Sequence, residues 1–262
     1  MTNDANQIEI VPIPAFSDNY MWAIVDTKTG RTLIIDPGEA HPVIDFLEKN
    51  KLTLAAILIT HHHHDHTGGI TALISRYPIP VIGPLNDGVT SLTKKVNEPD
   101  EITITNFPLT FSVLAIPGHT KGHIAYYAKG MLFCGDTLFA GGCGRLFEGT
   151  AAQLYHSLQK IAALPDDTKI YCAHEYTVKN LQFAALVEPE NSEIQSRLQK
   201  VKTLRENNLP TLPSLLSEEM ATNPFLRCHQ TSVKSSLENH AGKQLADKIE
   251  IFAELRQWKD RF

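Results

Sequence analysis

Several features that would assign this chain to a membrane or to a secreted scaffold are missing from its sequence. No apolar run among its 262 residues approaches the length of a membrane-spanning helix, so we expect no membrane association. The sequence starts without a basic segment followed by an apolar one, from which we expect no secretory signal and a cytoplasmic location. The four cysteines form no CxxC pair, which excludes zinc-ribbon spacing and favours small buried thiols.

A concentration of positive charge is also absent. The chain has 24 lysines and arginines against 29 aspartates and glutamates, which gives a formal net charge of -5. A nucleic-acid partner would require a basic face, so we expect none. The sequence contains no exposed coiled-coil stripe either, and we therefore expect a monomer.

The first two thirds of the chain alternate apolar strands with turns. We predict strands at residues 8–13, 20–26, 31–38, 54–60, 80–83, 111–117, 125–135 and 169–173. Helical spacing of apolar residues follows Glu39 at residues 41–50. Thr150 and Gln153 have the spacing of a capping box, which predicts that another helix begins there.

The pattern changes after about residue 176. Residues 192–207 and 242–262 place apolar side chains at helical spacing, and Ser192 is a candidate cap of the first of these helices. The segment between them, at residues 209–225, is interrupted by three prolines. We therefore predict a mixed α/β domain at residues 1–175 and a helical domain at residues 176–262.

Histidine is unusually concentrated at one point of the chain. Five of the 12 histidines lie within residues 60–67, directly after a predicted buried strand. A purification tag would lie at a terminus, and a solvated loop would not need the preceding strand. His61 and His63 point to the same side if the chain stays extended, and a turn brings round Asp65 and His66. Imidazole and carboxylate donors suit Zn, Fe or Mn, with zinc favoured by the histidine count.

Three later strands also end at potential metal ligands. Residues 111–117 run into His119, residues 131–135 run into Asp136, and residues 169–173 run into His174. Functional groups of an open sheet gather at the carboxyl ends of its strands. Each of these residues alone has an ordinary explanation as a cap or a loop residue, but four such strand ends in one chain favour a shared metal site.

This HxHxDH motif, with the later histidines and aspartate, resembles the metallo-β-lactamase superfamily over roughly residues 8–176. The resemblance implies a mixed α/β (α+β) fold, arranged as an αββα four-layer sandwich and followed by a helical domain. It implies one metal held by His61, His63 and His119, a second held by Asp65, His66 and His174, and a bridging Asp136. His62 and His64 are variable positions of the motif, and His123 and Asp36 are expected to support the ligands.

The same resemblance implies a chemistry. Two divalent ions about 3.5–4 Å apart share one water and lower its pKa, so that a bridging hydroxide is the expected nucleophile. Asp65 and Asp136 are the expected catalytic residues beside that hydroxide. No GxSxG motif or convincing cysteine–histidine pair provides another nucleophile.

Other segments resemble the hydroxyacylglutathione hydrolase, or glyoxalase II, family along essentially the whole chain. They are residues 142–150, 172–177, 223–225 and 256–262. The resemblance implies hydrolysis of S-(R)-lactoylglutathione to glutathione and D-lactate. It also implies substrate contacts from Arg145, Phe147, Tyr176, Arg256 and Lys259. The positions of Arg145 and Phe147 depart from the family pattern of lysine and tyrosine, so the hydroxyl of the tyrosine is missing here.

Three other functions stay open at this point. A glutathione persulfide dioxygenase shares the fold but uses one iron, and it would have an incomplete second ligand set. A tRNA-processing nuclease is disfavoured by the net charge of -5. A non-catalytic metal-binding module is disfavoured by the complete set of ligands, because a protein without turnover has no need of an open two-metal site.

Overall fold

The computed structural model describes residues 7–262 of the chain. The expectation that no secretory signal is present rests partly on residues 1–6, which lie outside the described residues. The described residues form two compact units. The first contains residues 7–115 with Gly122–Lys129 and Phe133–Gly135, and the second contains Ile116–Lys121, Gly130–Leu132 and Asp136–Phe262.

The first unit contains a six-stranded sheet in which the strands follow one another in sequence order. The strands are β1 Ile8–Ala15, β2 Asn19–Asp26, β3 Arg31–Ile35, β4 Thr53–Leu58, β5 Val81–Pro84 and β6 Lys94–Val96. Strands β1 to β3 pair antiparallel, whereas β3 to β6 pair parallel. Because parallel strands point the same way, the carboxyl ends of β3, β4 and β5 lie at one edge of this sheet.

Helices of the first unit are α1 Ala40–Asn50, α2 His64–Thr67 and α3 Ile70–Arg76. The predicted helix at residues 41–50 is confirmed as α1, which buries Val43 and Leu47 against sheet residues such as Ile34 and Ile57. Burying an aliphatic side chain of this size stabilises the fold by about 1.5–3 kcal/mol. Strand β4 is buried along all but its first residue, as predicted for a strand covered on both faces.

The predicted strand at residues 125–135 is wrong as a single element. Strands β7 Glu101–Thr103 and β8 Thr110–Ala115 are followed by two short strands, β9 Ile124–Ala128 and β10 Met131–Gly135. Between the two, Lys129 and Gly130 have φ angles of 46° and 76°, which turn the chain sharply. The sequence Lys-Gly between two apolar runs was the available signal for this hairpin.

The second unit begins with short strands and a capped helix. Its strands are β11 Leu138–Phe139, β12 Gly142–Cys143, β13 Lys169–Cys172 and β14 Ser214–Leu215. Strands β11 and β12 form a two-stranded hairpin, and β13 pairs antiparallel with β14. In the first unit, β7, β8 and β9 pair antiparallel in sequence order. The capping box of Thr150 and Gln153 is confirmed at the start of α4 Ala151–Ala162.

Five further helices complete the second unit as far as the structure describes it. They are α5 Thr177–Val187, α6 Ser192–Glu206, α7 Leu216–Thr222, α8 Thr231–Ala241 and α9 Lys248–Arg261. The predicted cap at Ser192 is wrong, because Asn191 accepts the backbone N–H groups of Glu193 and Ile194 instead. The last helix begins at Lys248 and is capped by Asp247, later than the predicted residue 242.

Both aromatic packing and a buried ion pair stabilise the helices of the second unit. The rings of Phe183 and Phe252 pack on either side of Phe225, with centroids 6.4 and 5.6 Å from its ring. Arg197 lies buried on the inner stripe of α6, where it donates to Thr222 Oγ1 at 2.6 Å and pairs with Glu219. No helix within residues 7–262 has the length and apolar character needed to cross a membrane.

Candidate metal centre

The first group of donors follows the carboxyl end of β4. His61 Nε2 lies 3.1 Å from His63 Nδ1, so the two rings project to the same side as predicted for an extended segment. The single helical turn of α2 then changes the direction of the chain and presents Asp65 and His66. His66 Nε2 lies 3.5 Å from Asp65 Oδ2.

Asp36, at the end of the neighbouring strand β3, organises this group. Its carboxylate accepts the backbone N–H and the hydroxyl of Thr60, both at 2.7 Å, and His66 Nδ1 at 3.0 Å. Because the Thr60 hydroxyl hydrogen points at Asp36, the oxygen is available to accept His61 Nδ1 at 3.0 Å. Both rings are therefore held through Nδ1, so Nε2 is the nitrogen through which the predicted ligands His61 and His66 would bind a metal.

Asn19 has a comparable role that the sequence did not reveal. It is 7% exposed at the start of β2, and its Nδ2 donates to Asp65 Oδ2 at 3.0 Å. This contact joins residues 46 positions apart, so no local motif connects them. The amide fixes one oxygen of a carboxylate that was predicted to bind metal.

The second group of donors consists of His119, Asp136 and His174. His119 donates from Nδ1 to the backbone oxygen of Arg145 at 2.9 Å. Asp136 Oδ2 lies 3.4 Å from His119 Nε2 and 3.4 Å from His174 Nε2. One carboxylate oxygen is thus shared between two imidazoles, the arrangement expected of a bridging ligand. The backbone of Gly144 also comes very close to that of Asp136, because a Cβ at Gly144 would lie 1.9 Å from the backbone oxygen of Asp136.

The donors fit divalent metal ions by chemistry and by spacing. Two ligands bound at about 2.0–2.1 Å in tetrahedral geometry are about 3.4 Å apart. The separations of 3.4 and 3.5 Å within the two groups match that value. Within the first unit, donor atoms of Asp36, His61 and His66 lie within 4.8 Å of one another. The clusters imply that the chain binds divalent metal ions.

The remaining histidines of the two motifs have different surroundings. His123 is buried and its ring stacks on that of His61, with centroids 4.5 Å apart, in keeping with the expected supporting role. His62 lies close to Asp87, with Nδ1 3.1 Å from its carboxylate. His64 is exposed.

Arg256, one of the cations predicted to bind substrate, already uses most of its donor groups in contacts within the protein. Arg256 is 4% exposed and donates to the backbone oxygen of Cys143 at 2.9 Å. Its Nε and Nη2 contact Asp260 at 3.1 and 3.0 Å, and its guanidinium lies 4.9 Å from the ring centre of Phe225. Most of its donor groups are therefore satisfied inside the protein.

Lys259 lies one helical turn further and is only half-buried. Its Nζ lies 5.1 Å from the ring centre of Phe183 and 4.8 Å from that of Phe262. Burial, together with the positive charges of Arg256 and Lys179 and a smaller effect of Arg145, lowers the pKa of Lys259 to about 8. These four cations form what we call the cation cluster: Arg145, Lys179, Arg256 and Lys259.

The other predicted substrate residues lie beside ligands of the second group. The ring of Tyr176 stacks on His174, with centroids 4.7 Å apart and an interplanar angle of 7°. Phe147 is 64% exposed, and it meets His119 edge to face at 5.2 Å. The Arg145 side chain is exposed, with Nε 3.7 Å from Asp260 Oδ1.

The cysteines are buried thiols, as predicted, and none is part of a disulfide. Burial raises the pKa of Cys143 to about 11 and that of Cys172 to about 12. Burial raises the pKa of Cys228 well above its ordinary range. Thiols of this kind are poor nucleophiles at neutral pH, which agrees with a site that uses metal chemistry instead.

Comparison with known proteins defines the class first. Residues 17–174 match the family model of the metallo-beta-lactamase superfamily. The crystal structure of ETHE1 from Myxococcus xanthus superimposes with a TM-score of 0.65 at 27% identity, covering 96% of this chain and 97% of that one. The chain therefore has the metallo-β-lactamase fold with a C-terminal helical region, as the sequence predicted.

The rest of the chain defines the family. Residues 175–262 match the model described as hydroxyacylglutathione hydrolase C-terminus. The hydroxyacylglutathione hydrolase of Nitrosomonas europaea is 49% identical over 255 residues, covering 97% of both chains. That of Aeromonas hydrophila is 52% identical over 255 residues, covering 97% of this chain and 99% of the relative. The chain belongs to the hydroxyacylglutathione hydrolase family.

Proposed function

We propose that this protein hydrolyses the thioester S-(R)-lactoylglutathione to glutathione and D-lactate. The observation that carries the proposal is the similarity to hydroxyacylglutathione hydrolases along 97% of the chain, including the helical region at residues 175–262. A general metallohydrolase would need only the donors at the strand ends. The added helical region with its cation cluster is what a glutathione thioester requires, because glutathione carries two carboxylates.

We propose the ligand assignment that the family resemblance implies. One ion is held by His61, His63, His119 and Asp136, and the other by Asp65, His66, His174 and Asp136. We propose two zinc ions, since nitrogen donors outnumber carboxylates, while Fe and Mn accept the same donor types. When bound, such a pair supplies hydroxide at neutral pH and polarises the thioester carbonyl. Metal analysis of the purified protein tests both the number and the identity of the ions.

The residues around the donors do the positioning. The Asp36 carboxylate and the Thr60 hydroxyl fix the ring orientations of His61 and His66, so that their Nε2 atoms need no reorganisation when an ion binds. Asn19 donates to the same Asp65 oxygen, Oδ2, that lies 3.5 Å from His66 Nε2, and so fixes the direction of this carboxylate. Asp65 and Asp136 are the proposed catalytic carboxylates, since the family resemblance places both among the ligands that would hold the metal ions.

Substrate binding is proposed for Arg145, Phe147, Tyr176, Arg256 and Lys259. Lys259 is half-buried beside three other cations, which favours a carboxylate that would relieve their mutual repulsion. Arg256 contributes mainly its positive charge to this cluster, because its donor groups are already used by Asp260 and by the backbone oxygen of Cys143. Tyr176 and Phe147 offer flat surfaces on His174 and His119 for the peptide part of the thiol.

The domain boundary also remains a proposal. We propose a catalytic domain at residues 1–175 and a glutathione-binding helical domain at residues 176–262, supported by the two family models that meet at residues 174 and 175. We also propose a cytoplasmic monomer that takes a small-molecule substrate. Light scattering of the purified protein tests the monomer, and cell fractionation tests the location.

The deciding experiment is hydrolysis of S-(R)-lactoylglutathione by the purified protein, followed as loss of thioester. Turnover that disappears on metal removal and returns with added zinc would support both reaction and mechanism. A protein that holds two metals but leaves the thioester intact would contradict the proposal. A persulfide dioxygenase would consume oxygen with glutathione persulfide and would bind one iron, so an oxygen electrode distinguishes that alternative.

A further inference from the structure

A buried carboxylate follows β5, a third parallel strand of the first sheet. After β5 Val81–Pro84, the chain turns and buries the carboxylate of Asp87, which is 4% exposed. Its Oδ2 accepts the backbone N–H of His62 at 2.8 Å and lies 3.1 Å from His62 Nδ1, while Oδ1 accepts the backbone N–H of Gly122 at 2.9 Å. A carboxylate buried this deeply requires such donors to offset its desolvation.

The two backbone N–H groups that donate to Asp87 belong to segments that surround His61. His62 lies directly between the proposed ligands His61 and His63, and Gly122 directly precedes His123, whose ring stacks on His61. The same two segments meet again where Ile124 N donates to Thr60 O at 3.0 Å.

The approach of these segments depends on the residue type at Gly122. A Cβ there would lie 2.5 Å from the backbone oxygen of Asn86 and 2.8 Å from the Cβ of Asp87. Only glycine therefore allows the Gly122 amide to come within hydrogen-bond distance of the Asp87 carboxylate.

We infer that Asp87 is a positioning residue for the metal centre, acting through the backbone of His62 and Gly122. By holding residues 60–62 against residues 122–124, it keeps the His61 ring between His63 and His123 with its Nε2 directed at the metal. The inference rests on the proposed role of His61 and His63 as ligands. It also gives a function to His62 at a variable position of the motif, because Asp87 accepts from its backbone amide and lies 3.1 Å from its ring Nδ1.

Replacement of Asp87 by asparagine isolates this role. Asparagine has nearly the same volume, but its amide group places N–H donors where one of the two backbone N–H groups needs an acceptor. One of the two segments is therefore released. Loss of a residue that orients a metal ligand lowers metal affinity by about 10–100-fold, and we expect a loss of this size for one of the two ions.

Asp26 provides a matched control in the same sheet. It is also buried, at 1% exposure, and its carboxylate accepts from Gln7, Lys28 and Thr29 at the turn after β2. Asp26→Asn therefore removes a buried carboxylate with several donors but leaves the segments around His61 in place. A general loss of stability would affect both variants, whereas a positioning effect would appear only in Asp87→Asn.

The test measures zinc binding directly. Metal-free wild type, Asp87→Asn and Asp26→Asn are titrated with Zn²⁺ in competition with a chromophoric chelator, and the thermal unfolding of each metal-free protein is recorded. We expect Asp87→Asn to bind one zinc ion 10–100-fold more weakly, Asp26→Asn to stay within two-fold of wild type, and the two metal-free variants to unfold at similar temperatures. The visible spectrum of the Co²⁺-loaded protein should change in Asp87→Asn alone.

Two outcomes would overturn the inference. Wild-type affinity and an unchanged Co²⁺ spectrum in Asp87→Asn would show that the carboxylate does not position the ligands. An equal loss in Asp26→Asn would assign the effect to general stability. If wild type itself binds no zinc, the proposed ligand assignment fails together with the inference, which distinguishes that result from the first two.

Discussion

The donors at the strand ends reach their positions through the backbone, whereas the cation cluster reaches its position through long side chains. Predicted ligands such as His61 and His174 are at most 5% exposed, and they follow the ends of buried strands by three and two residues. Lys259 instead projects from a helix, half-buried, over the rings of Phe183 and Phe262. The first region is fixed before anything binds, and the second can respond to what binds.

The two regions therefore divide the work of the proposed reaction. The donor groups determine whether chemistry occurs, because their spacing of 3.4–3.5 Å already suits metal ligation. We expect the cation cluster to determine which thioester binds. Changes in the first region should lower kcat, and changes in the second should raise KM.

Metal removal should produce the largest effect. We expect a chelated sample to lose all measurable thioester hydrolysis and to unfold at a lower temperature, because ions at about 1,000 times their Kd stabilise the fold by about 4 kcal/mol. Calorimetry and activity on the same sample check both. Added zinc should restore both properties, and activity that survives complete metal removal would contradict the division of roles.

Asp136→Asn should be the most damaging single substitution. The amide keeps the shape but loses the charge that the two ions share, and we expect kcat to fall roughly 10³-fold with a smaller change in KM. Steady-state kinetics with metal analysis of the same preparation measure this. The exposed Asp167→Asn serves as control and should behave as wild type. A large KM effect with kcat preserved would assign Asp136 to the substrate region instead.

Arg256→Met tests whether the cation cluster is also structural. The change removes hydrogen bonds to Asp260 and to the buried Cys143 oxygen, and we expect about 2–3 kcal/mol of lost stability together with a raised KM. Urea unfolding and kinetics measure the two parts. Arg261→Met, on the same helix but largely exposed, should leave both near wild type. A kcat loss without a KM change would place Arg256 with the donors.

Lys259 should give substrate binding a pH dependence. Its lowered pKa of about 8 means that the positive charge is present below that pH and is lost as the pH rises through it, rather than near 10.5. We expect the affinity for a non-hydrolysable glutathione thioether to fall several-fold between pH 7 and 9. Calorimetric titration measures it. Lys259→Arg should remove the pH dependence at high affinity and Lys259→Met at low affinity; a dependence unchanged in both would exclude Lys259 as its source.

Phe147→Tyr should have the smallest effect. The added hydroxyl provides one hydrogen bond at an exposed position beside His119, worth at most about 1 kcal/mol, so KM should fall about three-fold. Phe147→Leu keeps an apolar side chain without a hydroxyl and should not lower KM. If the tyrosine variant binds no better than wild type, the ring acts only as an apolar wall.

The sequence located the candidate donors because their positions are local. The HxHxDH spacing, one strand end and one turn suffice to place four of them, and the later strand ends supply the rest. Asn19 and Asp87 escaped prediction because each acts on a partner at least 25 positions away, although both follow or begin a strand that was predicted. The position of Asp87 after the predicted strand at residues 80–83 was the available signal.

Other features depended on tertiary contacts that no local pattern encodes. Helix α5 was not predicted because its buried face includes the polar residues Thr177 and Asn180 while the apolar Leu186 is exposed, so apolar residues alone do not mark one stripe. The pairing of Arg256 with Asp260 was hidden in a helix whose charges also suit a solvated face. Arg197 can lie in an apolar stripe only because it pairs with Glu219 and donates a hydrogen bond to Thr222.

The buried cysteines have a consequence for a protein that releases a thiol at every turnover. With pKa values of about 11 and 12, Cys143 and Cys172 exist as thiolates to no more than a fraction on the order of 10⁻⁴ at pH 7. Exchange with oxidised glutathione proceeds through the thiolate and needs access to it. Glutathione released by this protein and then oxidised to its disulfide therefore has no ready route to S-glutathionylate Cys143 or Cys172, and turnover should persist through oxidative stress that disables enzymes with exposed, acidic cysteines.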